Sequence, residues 1–358
     1  MAPSAAFGAR VMLLGKAARR VPASLRCRSF LSSGYDFDVV VVGGGHAGCE
    51  AATAAARIGA RTLLVTQRLD TLGEMSCNPS FGGVGKGTLV REVDALGGVC
   101  GQLADDAGIQ FRVLNFSKGP AVWGPRAQVD RKLYREGMQA TLKSYPNLSL
   151  KAGSVGDLIV EEPVTGSSAP SNTPDVPCET RVAGVVLEDG TRISSKSVVI
   201  TTGTFLRGEV HVGMKSFPAG RMGEQAATAL SNTLLSRGFS LGRMRTGTPP
   251  RLLAKSIDFT DLEPQYSDDA IMPLSFLTPR HAPRMKREGK LVPCYQTRTN
   301  ERVHTIIRDN MHLSCHLKEE IRGPRYCPSL EAKITRFKER DSHIIWLEPE
   351  GATNVLLV

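Results

Sequence analysis

Three glycines spaced as Gly43-x-Gly45-x-x-Gly48 carry the clearest chemical signal in the chain. Four valines, Val39–Val42, precede them, and an alanine-rich stretch, Cys49–Ile58, follows. Strand, tight turn and helix in that order make a cradle for a diphosphate. The first glycine permits the turn, the second lets phosphates approach the backbone, and the third lets helix pack on strand. A tight βα turn without ligand is the plainer reading of the same residues. The motif alone does not choose FAD over NAD. An acidic residue that would hold a ribose hydroxyl belongs at the end of the second strand. That place reads Thr66-Gln67-Arg68, with Asp70 slightly late.

Two cysteines stand where a thiol could do chemistry. Cys77 lies in Met75-Ser76-Cys77-Asn78-Pro79, inside a glycine-rich stretch. Cys327 lies in Gly323-Pro324-Arg325-Tyr326-Cys327-Pro328-Ser329, where Arg325 and a helix start after Pro328 would favour thiolate. Residue type alone leaves both as buried structural thiols. The eight cysteines include no CxxC pair, so neither a zinc site nor a thioredoxin-type motif is supported, and no metal is expected. Phe81–Thr88 (FGGVGKGT) imitates a phosphate-binding P-loop but has Gly87 where Ser or Thr must bind magnesium.

The elements that must position these groups are legible in outline. Asp36–Val42 and Arg61–Thr66 read as strands around the helix 49–58. Little regular structure is expected between residue 71 and Thr88. Val90–Leu96 and Asp130–Leu142 read as helices, and Asp157–Glu161 as a strand. Pro163–Pro177 reads as a loop. Arg181–Leu187 and Thr191–Ile193 flank Asp189-Gly190 as a hairpin. Ser197–Thr202 reads as a further, separate strand ending at Gly203. A meander followed by an apolar strand ending in Thr-Gly favours FAD, by fold analogy only. A second region begins near Phe205, with a Gly-Pro turn at 247–250, a basic segment Arg280–Lys290, and helices over Glu301–Asn310 and Ser329–Phe337.

Composition bounds the class. The 358 residues are 41% hydrophobic, enough for a core, and no apolar run is long enough to span a membrane. The net charge is +10, but residues 1–35 hold six Arg and Lys and no acid, leaving +4 for the remainder. Charge is therefore weak support for nucleic-acid binding. An Arg-rich, acid-free leader over 1–33 reads as a mitochondrial transit peptide, with the matrix as destination.

Seven blocks then carry a resemblance. GGGHAGCEAA (43–52), MSCNPSFGGVGKG (75–87), REVDALGG (91–98), GIQFRVLNFSKGPAV (108–122), GTFLRG (203–208), RTGTPPR (245–251) and GPRYCPSLEAKITRF (323–337) closely resemble the MnmG/GidA family. With the leader, the chain is similar to the family's mitochondrial branch, over about residues 35–351. The resemblance implies an α/β, glutathione-reductase-like FAD-binding Rossmann fold with an inserted second α/β domain. The FAD domain would begin over 36–204, and the NAD/substrate domain would be 205–351. It implies an enzyme that works with an MnmE-type GTPase on wobble uridine 34 of mitochondrial tRNAs. The product would be a 5-carboxymethylaminomethyl or 5-taurinomethyl group. Methylene-tetrahydrofolate would give the carbon, glycine or taurine the amine, and NADH the electrons for the flavin.

The same resemblance implies site residues. Gly43, Gly44, Gly45, His46, Ala47, Gly48, Val155 and Pro218 would contact FAD. Gly323, Pro324, Arg325, Tyr326, Cys327, Pro328, Ser329, Lys333, Arg336 and Phe337 would contact NAD. Cys77 and Cys327 would be the catalytic pair, one thiolate adding to carbon 6 of uracil and the other thiol acting as acid or base. Arg325, Lys333, Arg336, Lys338 and Arg340 would contact phosphate or form a solvated basic face. Full-length family members imply a homodimer. Trp123-Gly124-Pro125 before Arg126, and Pro218 in the FAD-contact region, depart from the family, and the tail 352–358, ATNVLLV, does not match it. By the resemblance, later segments would complete the FAD domain and bind tRNA and the GTPase, and these 358 residues are expected to lack them. The expectation is a C-terminally truncated form with an exposed sheet edge. The rival readings are a non-catalytic isoform and an NAD(P)-dependent reductase of a small molecule.

Overall fold

The computed structural model describes residues 34–161, 180–279, 288–314, 329–351 and 356–357. The chain divides into residues 1–35 and 36–358, and the second unit holds the architecture below. β1 (Phe37–Val42) leads into α1 (His46–Arg57) and then β2 (Thr62–Thr66). β3 (Ser80–Gly82) passes through a glycine-rich turn into α2 (Lys86–Ala95) and α3 (Cys100–Asp106). β4 (Gly108–Leu114) and β5 (Gly124–Val129) precede α4 (Arg131–Lys143) and β6 (Leu148–Ala152). β7 (Val155–Glu161), β8 (Arg181–Leu187) and β9 (Arg192–Ile200) complete the first half.

Six of these strands form one sheet in the order β6-β2-β1-β9-β8-β7. β6, β2, β1 and β9 run parallel, and β9-β8-β7 form an antiparallel meander. A strand covered on both faces must be apolar throughout, which is why β1 is a valine run. Val41 and Leu64 enter one core with Leu72, Phe111, Tyr134, Met138 and Leu142. Val40, Val42, Leu63 and Val65 enter the other with Val155, Val185, Leu187 and Leu230. The alternation follows the two-residue period of a strand.

Two sequence expectations need correction. Thr191–Ile193 and Ser197–Thr202 are not separate strands, because β9 runs through both. Its first half pairs antiparallel with β8 (Val185↔Ile193), and its second half pairs parallel with β1 (Val39↔Ser197). The polar run 194–197 looks like a break, yet Ser194, Ser195 and Lys196 all find partners: the Ser195 hydroxyl donates to the Ser197 carbonyl at 3.1 Å. Asp36 accepts from the Ser194 amide and hydroxyl at 2.9 and 2.8 Å, and Lys196 pairs with buried Asp38 at 2.9 Å. The stretch before Thr88 is also more regular than expected. β3, β5 and β4 form a small antiparallel sheet, and α2 begins at Lys86 rather than Val90. Among the described residues, β9 beyond Ser195 pairs only with β1, and Val199 and Ile200 are 38% and 36% exposed.

The later chain supplies a hairpin, β10 (Glu209–Val212) with β11 (Lys215–Pro218), then α5 (Ala229–Ser236) and β12 (Leu252–Leu253). β13 (Glu263–Gln265), β14 (Cys294–Arg298) and β15 (Ile344–Leu347) form a three-stranded sheet, with α6 (Glu301–Asp309) and α7 (Leu330–Arg336) between β14 and β15 in the chain. β16 (Leu356–Leu357) pairs with β12. No helix among the described residues is long and apolar enough to cross a membrane. The expected loop Pro163–Pro177 and most of Arg280–Lys290 lie outside the described residues.

Buried carboxylates pin the later chain to the earlier. Asp105, fully buried, accepts from the amides of Leu274 and Ser275 at 2.9 and 2.8 Å, and Asp94 accepts from Phe276 N at 2.8 Å. Ile271 and Leu274 thereby enter the first core. Burial, opposed by the two amide bonds, pushes the Asp105 carboxyl up to about 6. Asp105→Asn turns one acceptor oxygen into a donor facing an amide. It is expected to cost about 1–3 kcal/mol in urea denaturation at neutral pH.

Candidate functional site

The turn after β1 is built as a cradle. Gly43 has φ 108°, in the left-handed region that favours glycine. Thr201, just past β9, closes on it: its amide and hydroxyl both donate to the Val42 carbonyl at 2.8 Å. A Cβ on Gly48 would lie 1.8 Å from the Gly43 carbonyl oxygen, so only glycine lets α1 sit this close to β1. A Cβ on Gly45 would meet nothing within 4 Å. No side chain caps α1, and no acidic residue stands in its first turn. An open backbone face at the positive end of a helix fits a dinucleotide diphosphate.

The surroundings refine the sequence reading. Gly43, Gly44 and Gly45 form the turn, and His46, Ala47 and Gly48 open α1 directly after it. Thr66, Leu72, Gly73 and Thr201 pack around it and were not foreseen; the Gly73 amide donates to the Gly44 carbonyl at 3.0 Å. Gly153 donates to Thr66 O at 2.8 Å, which puts the start of β7 beside the end of β2. Val155 opens β7 there, with its side chain in the second core. Pro218 ends β11, exposed, opposite Glu209. At the ribose position, Asp70 is engaged by Arg68, Nε to Oδ1 at 3.0 Å, rather than standing free.

His46 faces inward from the first turn of α1. Its ring lies edge-on to Phe81 at 4.9 Å between centroids and tilts against Tyr134 at 5.6 Å. Burial, helped by Lys86 and opposed by Glu74, pushes the imidazole down to about 4. The unfolded chain therefore takes up a proton below about pH 6.5 that the folded chain refuses until about 4, and stability falls as pH falls through that window. His46→Phe removes this contribution. Between pH 7 and 4.5 the variant should lose about 2–3 kcal/mol less than the parent in urea denaturation.

The thiols divide sharply. Burial pushes Cys49 and Cys294 up to about 12 and Cys100 well above its usual value, which makes them inert. Cys77 is half-buried, and its Sγ donates to the Gly247 carbonyl at 3.2 Å. Arg251 donates to the Cys77 carbonyl at 2.8 Å, and Arg221 donates to the Ser76 hydroxyl at 3.2 Å. Residue chemistry alone did not select Arg221 or Arg251; Arg251 ends the RTGTPPR block (245–251), which folds back onto Cys77. Among the described residues, no three His, Cys, Asp or Glu cluster as metal ligands.

Cys327, with Gly323, Pro324, Arg325, Tyr326 and Pro328, lies outside the described residues. Ser329 caps α7, its hydroxyl accepting from Ala332 N at 3.3 Å. Lys333 and Arg336 stand in the last turn, and Arg336 and Arg340 approach the Phe337 ring at 5.9 and 5.0 Å. Arg336, Lys338 and Arg340 are exposed.

Comparison with known proteins places this geometry. Residues 38–358 match the family described as glucose inhibited division protein A, and the match runs past Gly351 through the tail that the sequence reading set aside. The chain is 52% identical over 340 residues to the mouse (Mus musculus) 5-taurinomethyluridine-[tRNA] synthase subunit MTO1, mitochondrial, covering 95% of this chain and 49% of that protein. The Macaca fascicularis protein of the same name is 52% identical over 321 residues, covering 90% and 44%. The chain thus spans about half the length of the curated relatives it matches. Among solved structures, Aquifex aeolicus GidA superposes with TM-scores of 0.78 and 0.76 in two crystal forms, at 43% and 42% identity. These cover about nine-tenths of this chain (90% and 91%) and about half of that one (51% and 49%). The extent of the family match and the agreement in fold lead to one conclusion: this chain belongs to the glucose inhibited division protein A (MnmG/GidA) family.

Proposed function

We propose that this chain provides the FAD-binding and thiol-bearing part of an enzyme that modifies wobble uridine 34 of mitochondrial tRNAs. One observation carries the reading. A diphosphate-shaped turn with an open Gly45 occurs in a chain 52% identical to a protein named as a tRNA taurinomethyluridine synthase subunit. The proposed location is the mitochondrial matrix, in keeping with the leader and the relatives' names.

In this reading the amides of Gly43–Gly48 and the N-terminus of α1 hold the FAD diphosphate. Bound FAD would supply reversible electron transfer. The protein's own share is nucleophilic and acid–base chemistry. Carbon 5 of uracil is a poor nucleophile until a thiolate adds at carbon 6. Cys77 and Cys327 are assigned that addition and the accompanying proton transfer at carbon 5. Residues 323–337 are assigned to NADH, the reductant. Methylene-tetrahydrofolate is the proposed carbon donor and glycine or taurine the amine. An MnmE-type GTPase and a second copy of the full-length protein are the proposed partners.

Gly45→Val is the sharpest test of the cofactor assignment. The new side chain points into open space, so the variant should fold with a melting curve close to the parent's, yet it should purify without visible flavin absorbance. A yellow Gly45→Val protein would refute the cradle. The activity is tested by expressing this chain in cells that lack the family protein and reading the wobble uridine by mass spectrometry. Cys77→Ser and Cys327→Ser should each abolish the modification while flavin stays bound; full activity in both would remove the thiol assignment.

A further inference from the structure

We propose that Arg251 is a positioning residue for Cys77, and that Glu350, far along the chain, fixes it there. The contacts form a closed ring. Glu350 Oε1 accepts from Arg251 Nε at 3.1 Å and from Arg131 Nη1 at 3.0 Å. Arg131 donates onward to Glu74 at 2.8 Å, and Arg135 reaches the other Glu74 oxygen at 2.7 Å. Glu74 lies at the head of the Met75–Pro79 loop, and Arg251 donates to the Cys77 carbonyl in that loop. The loop is therefore held at two points, and both lead back to one carboxylate.

The ring is built to hold. The Glu350 side chain is only 7% exposed and the Arg131 and Arg251 side chains 26%. Burial works against the Glu74 charge, but Arg135 and Arg131 still hold its carboxyl below the usual range. Charge-assisted hydrogen bonds in such partly dry surroundings are stronger than surface pairs. Arg251 Nη1 also donates to the Pro249 carbonyl at 3.1 Å. This braces the loop whose Gly247 carbonyl accepts from the Cys77 thiol. One guanidinium thus sets both the backbone of Cys77 and the acceptor of its sulfur. Glu350 is itself delivered by neighbours on β5: Arg126 pairs with Glu348, and Gln128 donates to the Pro349 carbonyl at 3.2 Å.

The meaning of this ring for catalysis rests on the assignment of Cys77 as a reacting thiol; its geometry does not. The test is iodoacetamide labelling of the full chain without tRNA, with each cysteine read by peptide mass spectrometry. Cys49, Cys100 and Cys294 are buried and report folding within the same sample. Arg251→Ala should free the loop and speed alkylation of Cys77 by about tenfold or more, with the three buried thiols still protected. Arg251→Lys should restore part of the parent's protection, and Glu350→Gln should raise the rate by a smaller factor than Arg251→Ala. A Cys77 rate within about twofold of the parent in folded Arg251→Ala overturns the proposal. Should that variant unfold and label everywhere, Glu350→Gln decides by the same criterion. An active Cys77→Ser protein would instead remove the catalytic assignment and leave the labelling result standing.

Discussion

The distance between α1 and β1 is the constraint on which the molecule is built. Gly48 lies so close to the Gly43 carbonyl that no side chain fits between them. The helix continues that approach with small residues, Cys49, Ala52, Thr53 and Ala56, along its buried face. Its first-turn amides consequently stand beside the ends of β1 and β9 rather than out over the sheet edge. Thr201 completes the arrangement from β9 by bonding to the carbonyls of both Val42 and Gly43. The open turn follows from close packing, and His46 beside it remains neutral at neutral pH because the same packing excludes water.

Polar residues do the long-range stitching. Asp38 collects Lys196 from β9 and Arg61 from the start of β2, tying three parallel strands at their beginnings. Glu50 accepts from the amides of Val99 and Cys100 and so fixes the N-terminus of α3. Asp94 and Asp105 bring residues 274–276 onto α2 and α3 from about 170 to 180 residues along the chain. Buried carboxylates aimed at backbone amides leave little tolerance in direction, because an unsatisfied partner on either side is costly.

Much of this was legible in the sequence because it depended on local pattern. The valine run, the glycine spacing and the alanine-rich helix specify β1, the turn and α1 almost residue by residue. Asp130 announces α4, and its side chain accepts from Leu133 N as a capping residue should. The hairpin around Asp189-Gly190 appears where the turn residues place it. What could not be read was tertiary. The four residues Ser194–Ser197 look like a loop until Asp36 and Asp38 are seen to take up Ser194 and Lys196. The β3-β5-β4 sheet has glycine and proline where strand propensity is low, and it exists because its neighbours supply the pairing. Arg251 and Glu350 carry no local sign of their roles, since their partners lie about 100 to 175 residues away.

β9 belongs to two pairing systems at once, and this makes it a ruler. Its early residues are counted off against β8 and its late ones against β1, with no loop between to absorb an error. An insertion or deletion of one residue near Lys196 would turn every later side chain to the opposite face. It would also carry Thr201 away from the carbonyls it serves. Length within this strand is therefore as tightly specified as identity, and natural variation here should take the form of exchange, not gain or loss, of residues.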